Sequence, residues 1–336
     1  MITEFERILI IQTAFIGDVI LATPIIEKLH QKYPTAQIDF LVRKGNETLF
    51  GHDDRLRQVL TWDKKKSKYR SLFNLLKTIR RNNYDVVINA HRFAATGWLT
   101  WWSGAKLKIG FDKNPFSSVY DIKVPHRIEP GVHEVDRNLS LIAELVDSKR
   151  IRPSLRLGSD SEKVSQLKEV TYLVMAPATV WFTKQYPEEK WLELIQQLNF
   201  EGNIYLIGAP SDFALSDRIR KASGNDRVVN LCGKLSLLES AALMKDAVMN
   251  YVNDSAALHL SSAVNAPVTV FYCSTIPDFG FGPLSDKSII IETNESLSCR
   301  PCGLHGKKRC PEGHFQCGYG IENPIVVRKG SWSKVC

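Results

Sequence analysis

The chain has 336 residues, enough for two domains at about 150 residues each. Hydrophobic residues make up 44% and charged residues 24%, the balance of a soluble globular protein, which excludes a disordered, fibrous or disulfide-dense chain. The net charge of +8 lies in the first half: residues 1–170 hold 28 Lys and Arg against 20 Asp and Glu, whereas residues 171–336 hold 16 of each. Residues 51–100 alone hold 11 basic against 4 acidic side chains. A basic half points to nucleic acid, an acidic membrane surface or a phosphorylated substrate, or else to a solvated face that only aids solubility. The seven cysteines are an odd number and four cluster late, which fits a reducing compartment. Glu4 and Glu6 stand where a secretory signal would carry bases, so no targeting segment is expected. The apolar stretch 8–26 is interrupted by Gln12, Gly17-Asp18 and Pro24, so it is not expected to span a membrane.

In chain order, residues 7–12 form a β-branched apolar run, the pattern of a buried parallel strand. Val19, Ala22, Ile26, Leu29 and Tyr33 then recur at helical spacing, with a kink expected at Pro24 and an end at Pro34. Residues 37–42 and 85–89 read as strands, and 69–81 as a basic amphipathic helix. The second half repeats the alternation. Strands are predicted at 171–176, 203–207, 247–252 and 267–272, and helices at 188–198, 212–222, 237–245 and 257–264. The polar stretch 158–164 reads as a linker or as part of a helix. Such alternation predicts an α/β protein with parallel sheets and right-handed crossovers, in two domains, 1–160 and 161–336. Two open sheets facing a cleft bind ligands beyond the carboxyl ends of their strands, so site residues should follow strands directly.

Asp18 does so, at a glycine turn opening a helix. It reads equally as an N-cap or as a general base. The loop before it lacks both G-x-G-x-x-G and G-x-x-x-x-G-K-[ST], which argues against a nicotinamide dehydrogenase and a P-loop enzyme. Asn253-Asp254-Ser255-Ala256-Ala257-Leu258-His259 follows a strand and opens a helix, whose free N–H groups and dipole suit a phosphate. Asp254 reads also as a cap, and His259 also as a packing residue. Thr179 and Lys184 lie in another post-strand loop and offer a hydroxyl and a positive charge to the same anion. The turn Gly208-Ala209-Pro210-Ser211-Asp212 is a weaker candidate for a base or ribose contact.

Together these segments resemble glycosyltransferase family 9, the ADP-heptose:lipopolysaccharide heptosyltransferases. Gly17-Asp18-Val19-Ile20-Leu21-Ala22-Thr23-Pro24 is similar to the family's N-terminal motif. His133-Glu134-Val135-Asp136-Arg137-Asn138 resembles its histidine segment, Lys184-Gln185-Tyr186-Pro187 its lysine-aromatic-proline segment, and Asp254-Ser255-Ala256-Ala257-Leu258-His259 its donor motif. Ala256 stands where that motif has glycine, so a differently shaped loop is expected. The resemblance runs from about residue 7 to about residue 325, with its segments in order.

The resemblance implies a GT-B architecture: two Rossmann-like domains, acceptor on the first and nucleotide sugar on the second. It implies an inverting, metal-independent transferase without a catalytic cofactor, with Asp18 as base. Thr179, Lys184, Asp254, Ser255, Ala256 and His259 would hold the donor, ADP-heptose or another nucleotide sugar. The acceptor would be the lipopolysaccharide core, met by Arg92, His133, Arg137 and the basic Lys64, Lys65 and Lys66, with Lys68 and Arg70 beside them. Trp98, Trp101 and Trp102 suit stacking on sugar or lipid, or core packing. A cytoplasmic enzyme touching the anionic inner membrane follows, with no nucleic-acid partner. Cys299-x-x-Cys302, Cys310 and Cys317 fit a structural zinc site of four thiolates, free thiols or disulfides. A rival reading is a basic nucleic-acid-binding protein with a zinc knuckle, although its basic half and cysteines lie far apart in the chain and no RRM, KH or helix-turn-helix signature is present.

Overall fold

The computed structural model describes residues 4–64 and 68–323. The chain divides into two compact units between Gly158 and Ser159. The first unit holds strands β1 (Arg7–Gln12), β2 (Gln37–Arg43), β3 (Gln58–Trp62), β4 (Val86–Asn89), β5 (Leu107–Phe111) and β6 (Ile122–Val124). Its helices are α1 (Ile16–Leu21), α2 (Thr23–Lys32), α3 (Lys68–Arg81), α4 (Ala94–Trp102) and α5 (Glu134–Ser140). All strands are parallel, in the order β3-β2-β1-β4-β5-β6. Ile8, Leu9, Ile10 and Ile11 of β1 are fully buried, as a central strand covered on both faces requires. Each such side chain contributes roughly 1.5–3 kcal/mol by leaving water.

The second unit holds α6 (Glu162–Leu167), β7 (Tyr172–Ala176), α7 (Glu188–Leu198), β8 (Asn203–Leu206), α8 (Phe213–Ser223) and β9 (Val228–Asn230). After these come α9 (Leu237–Lys245), β10 (Asn250–Asn253), α10 (Ala256–Ala263), β11 (Val268–Tyr272), β12 (Ser288–Glu292) and the short α11 (Gln316–Tyr319). The sheet order β12-β11-β10-β7-β8-β9 mirrors that of the first unit, again all parallel. In each sheet the first strand has the second on one side and the fourth on the other. The strand order therefore reverses at β1/β4 and at β7/β10. Such switch points open a crevice beyond the strand ends.

Two expectations change in detail. The helix expected across 19–33 is two helices, broken at Ala22 with φ −90° and ψ −9°. Pro24 lies in the first turn of α2, where its missing N–H has no carbonyl to meet, so it starts a helix rather than kinking one. The stretch 158–164 is only partly a connector, because Ser161 caps α6 by accepting a bond from the Val164 N–H at 3.4 Å.

The core of the second unit explains one sequence motif. Tyr186 stacks on Phe271 with ring centroids 4.2 Å apart, and Trp191 meets both edge-on at 5.5 and 5.3 Å. The aromatic positions that follow Lys184 are thus core packing, which anchors the lysine's loop to the sheet. Among the described residues, no helix is long and apolar enough to cross a membrane.

Candidate functional site

In the first unit, Gln12 ends β1 and its side chain fixes the next loop. Gln12 Oε1 accepts from the Ala14 N–H at 3.2 Å, and its Nε2 donates to the Ala90 carbonyl at 3.3 Å. Asn46 Nδ2 donates to the Ala14 carbonyl at 3.2 Å, and Lys64 Nζ to the Thr13 carbonyl at 2.6 Å. This braced loop delivers Asp18 into the first turn of α1. The N-cap position is Phe15, three residues earlier, so Asp18 is not the cap that the sequence left open. A carboxylate in that turn is favoured by the helix dipole.

The turn after β4 carries His91 and Arg92. Asn114 Nδ2 donates to the His91 and Phe93 carbonyls at 3.0 and 3.1 Å, and Asn89 Oδ1 accepts from the His91 N–H at 3.0 Å. His91 is buried, with Nδ1 3.2 Å from Thr96 Oγ1 and 3.4 Å from Thr13 Oγ1. Burial, then the charges of Lys64 and Arg92, hold its imidazole down at about 3, so it is neutral at physiological pH. Burial, with Arg92 and Arg137, likewise holds His126 at about 4.

Helix α5 supplies the third wall. Arg137 Nε donates to Glu134 Oε2 at 2.7 Å, both buried, and Arg137 Nη1 donates to the Val132 carbonyl at 2.8 Å. Burial raises the Glu134 carboxyl and the charge of Asp18 raises it further, while Arg137 and Arg92 oppose both. Asn138 Nδ2 donates to the Leu21 carbonyl at 3.1 Å, fastening α5 to the helix that bears Asp18. Asp18, Arg92 and Arg137 thus share one electrostatic neighbourhood. His133 enters it as a cap: its Nδ1 accepts from the Val135 N–H at 3.1 Å, and Asp136 closes the reciprocal bond at 2.9 Å. Lys64 leans over the Trp62 ring, 4.8 Å from its centroid. Lys65 and Lys66 lie outside the described residues.

In the second unit the loops after β7 and β10 meet at the switch point. Asn253 joins them, donating from Nδ2 to the Ala176 and Pro177 carbonyls at 3.1 and 3.0 Å and accepting from the Tyr186 N–H at 2.8 Å. Lys184 Nζ lies 2.6 Å from Asp254 Oδ2, and Thr275 Oγ1 donates to the same oxygen at 2.7 Å. Ser255 occupies the N-cap position of α10 with no side-chain cap bond. Ala256 opens that helix without a positive φ, so alanine is accommodated without backbone strain where the family motif has glycine. His259 is buried one turn on, its ring 6.4 Å from that of Phe281. Thr179 Oγ1 donates to the Trp181 carbonyl at 2.6 Å, which orders the loop. The 208–212 turn is a cap, with Asp212 Oδ2 accepting from the Ala209 N–H at 2.8 Å.

The cysteine-rich segment braces this site. The Lys307 N–H donates to Thr183 Oγ1 at 2.8 Å, the Cys302 N–H to the Ser274 carbonyl at 3.0 Å, and Arg300 Nε to the Cys273 carbonyl at 2.6 Å. Gly306 permits the approach: a Cβ there would lie 2.5 Å from Trp181 Cβ and 2.7 Å from Lys184 Cγ. Of the alternatives the cysteine spacing left open, the zinc site finds no support in the geometry. Among the described residues, no group of three or more His, Cys, Asp or Glu is placed to hold a metal ion. Cys317 is packed into the core beside Phe315 and Ile321, while the half-buried Cys299 lies 3.9 Å from His314 Nε2.

Sequence reasoning missed Thr275, His91 and Asn114, and it quoted Asn253 and Glu134 within motifs without assigning either a role. Asn253 opens the quoted donor segment and ends a strand, which was a usable signal for its bridging role. The others become visible only when distant segments meet.

The family model for glycosyltransferase family 9 (heptosyltransferase) matches residues 72–313. The chain is 27% identical over 282 residues to lipopolysaccharide heptosyltransferase 3 of Escherichia coli strain K12, covering 77% of this chain and 80% of that protein. Its fold superposes on E. coli ADP-heptose lps heptosyltransferase II with a TM-score of 0.75 at 20% identity, covering 88% of this chain and 95% of that one. It also matches E. coli heptosyltransferase WaaC with ADP-2-deoxy-2-fluoro heptose, with a TM-score of 0.69 at 23% identity over 88% and 96% of the two chains. The structural likenesses bear out the expected α/β fold of the GT-B class.

Proposed function

The chain belongs to glycosyltransferase family 9, and from that premise we propose that it transfers heptose from ADP-heptose to the lipopolysaccharide inner core or a related acidic glycolipid. A solved relative carries an ADP-heptose analogue, and the curated relative named above is a lipopolysaccharide heptosyltransferase. The observation that carries the mechanism is the placement of Asp18. It lies in the first turn of α1 at the strand-order reversal, is half-buried, and does not occupy the cap position.

The reaction is a single displacement. The acceptor hydroxyl oxygen forms a bond to the anomeric carbon from the face opposite ADP, and the anomeric carbon–oxygen bond breaks. The electron pair goes to the β-phosphate oxygen and the hydroxyl proton to the Asp18 carboxylate. Configuration inverts. Negative charge grows on the diphosphate, and the N-terminus of α10 with Lys184 stabilises it without a metal ion. Lys184 must then share its charge between Asp254 and the phosphate. Ser255 and the Ala256 backbone lie at that helix start, and in this reading Thr179 and His259 complete the donor site. In the first unit, Arg92 and Arg137 supply the positive field for the acidic acceptor. Lys64 adds to that field, and the further charges that the sequence carries at Lys65 and Lys66 suit the anionic cytoplasmic face of the inner membrane.

Calorimetric titration of ADP, UDP and GDP in the presence of a chelator tests the donor. Selective ADP binding, followed by ADP-heptose turnover on a heptose-free core acceptor, is the expected result. Preference for UDP or GDP keeps the transferase and replaces the sugar.

A further inference from the structure

Phe15 holds the N-cap position of α1, three residues before Asp18, so the two side chains adjoin at the start of one helix. That position favours serine, threonine, aspartate or asparagine, whose side chains bond the helix's unpaired N–H groups. Phenylalanine makes no such bond here, and it is not buried either: it is 56% exposed. Neither capping nor core packing accounts for a phenyl ring standing in water beside the proposed base.

Arg43 ends β2, the neighbour of β1, and is half-buried. Its Cζ lies over the Phe15 ring, 5.6 Å from the centroid. The other buried or half-buried arginines of the first unit have acceptors. Arg7 Nη1 donates to the Asn82 carbonyl at 2.9 Å, Arg55 Nε to Asp53 Oδ1 at 2.8 Å and Arg137 Nε to Glu134 Oε2 at 2.7 Å. Among the described residues the Arg43 guanidinium has no acceptor, and the adjacent Lys44 pairs with Asp63 at 3.3 Å. Cation–π attraction holds Arg43 on the ring but satisfies none of its N–H donors. A planar fork drawn partly out of water in this way suits an incoming carboxylate or phosphate, bound through two parallel N–H groups.

The backbone beside Phe15 narrows the ligand. The Ala14 N–H, the Ala14 carbonyl and the Thr13 carbonyl are already bonded to Gln12, Asn46 and Lys64. A nucleobase edge would find these three groups spent. A pyranose needs only an aromatic face for its C–H bonds, and an acidic substituent on it needs only the guanidinium.

We propose that Phe15 and Arg43 form a subsite for an anionic sugar. The phenyl ring packs on the C–H face of the pyranose, and the Arg43 fork takes the carboxylate or phosphate that the sugar carries. The subsite selects which sugar brings its hydroxyl to Asp18. The inference deepens the proposed function and rests on it for the role of Asp18.

Calorimetric binding of a deacylated, heptose-free core oligosaccharide to the full chain, with no donor present, tests it. The probe is used untreated, with its carboxyl groups reduced to alcohols, and with its phosphates removed by phosphatase. Arg43→Ala weakens binding of the untreated probe by about tenfold or more. Arg43→Lys recovers only part of that loss, because lysine keeps the charge without the fork. Phe15→Leu, apolar but without an aromatic face, also weakens binding, and Phe15→Tyr retains it. At least one treated probe binds the wild-type chain weakly and no longer distinguishes it from Arg43→Ala, which identifies the anion as carboxylate or phosphate. ADP affinity stays within about twofold in every variant, a change under 0.5 kcal/mol. Absent binding of the untreated probe by the wild-type chain overturns the proposal, as does undiminished binding by either Arg43→Ala or Phe15→Leu. An Arg43→Ala loss of equal size on all three probes also overturns it, by making Arg43 a general charge, and so does a loss confined to ADP. Failure of the functional reading shows elsewhere, as absent transfer from ADP-heptose with Arg43-dependent oligosaccharide binding intact.

Discussion

Lys184 Nζ and Asp254 Oδ2 stand 2.6 Å apart, bringing the loop after β7 against the start of α10. The pair is mostly enclosed, and Thr275 Oγ1 is a second donor to the same carboxylate oxygen. Lys184→Ala is expected to weaken ADP binding by tenfold or more, the loss of one charge-assisted contact. It should also lower stability by about 1–3 kcal/mol, because a largely buried carboxylate loses its cation. Calorimetry and thermal melting read the two effects separately. Unchanged ADP affinity would place the diphosphate elsewhere.

The pH dependence of stability follows from His91 and His126, whose imidazoles are held at about 3 and about 4 against an ordinary value of 6.5. Between those values and 6.5 the unfolded chain binds the protons that the native rings refuse, so stability rises with pH. Their contribution is complete above pH ~6.5 and is lost as pH falls toward 3 to 4, at up to about 1.4 kcal/mol per pH unit for each ring. Denaturant melts between pH 7 and 4 should show this fall. His91→Gln should flatten it, and an equal slope in that variant would count against the assignment.

Gly97 is required by contact rather than by torsion. A Cβ there would sit 2.0 Å from Asn114 Oδ1, the side chain that holds the His91–Phe93 turn. Gly97→Ala is expected to cost about 1–3 kcal/mol of stability. By displacing Arg92 it should raise KM for the acceptor while leaving ADP binding alone. Steady-state kinetics with varied acceptor checks this, and an unchanged KM would remove Arg92 from acceptor binding.

Much of this architecture was legible in the chain. The run Ile8-Leu9-Ile10-Ile11 announces a doubly covered strand, and β7 and β11 are equally plain. The strands β3, β5, β6, β9 and β12 were not read. They are three to five residues long, and β3, β5, β6 and β12 keep half-exposed or exposed positions, so they lack a continuous apolar run. Helix α5 was missed for a different reason. Its start is fixed by the reciprocal bonds of His133 and Asp136, and seven residues are too few for a periodic signal. For the sites, the rule that ligands meet strand ends found the loops of Asp18, Lys184 and Asp254. It did not show that Lys184 and Asp254, 70 positions apart, pair with each other. That contact exists because β10 lies beside β7 in the sheet. Nor did it distinguish Arg92, exposed, from His91, buried by partners as distant as Thr13. The cysteine spacing left zinc, free thiols and disulfides open; the fold buries Cys317 in the core, and among the described residues no group of three His, Cys, Asp or Glu is placed to hold a metal ion.

The most direct test of catalysis by Asp18 is the rate of heptose transfer by Asp18→Asn, measured with ADP-heptose and a heptose-free core acceptor alongside ADP affinity. Removing a general base from the reacting hydroxyl should lower kcat by about 10²–10⁴-fold, with ADP affinity within about twofold of wild type, a change under 0.5 kcal/mol. Transfer at the wild-type rate, with the nucleotide still bound, would contradict the assignment of Asp18 as the base.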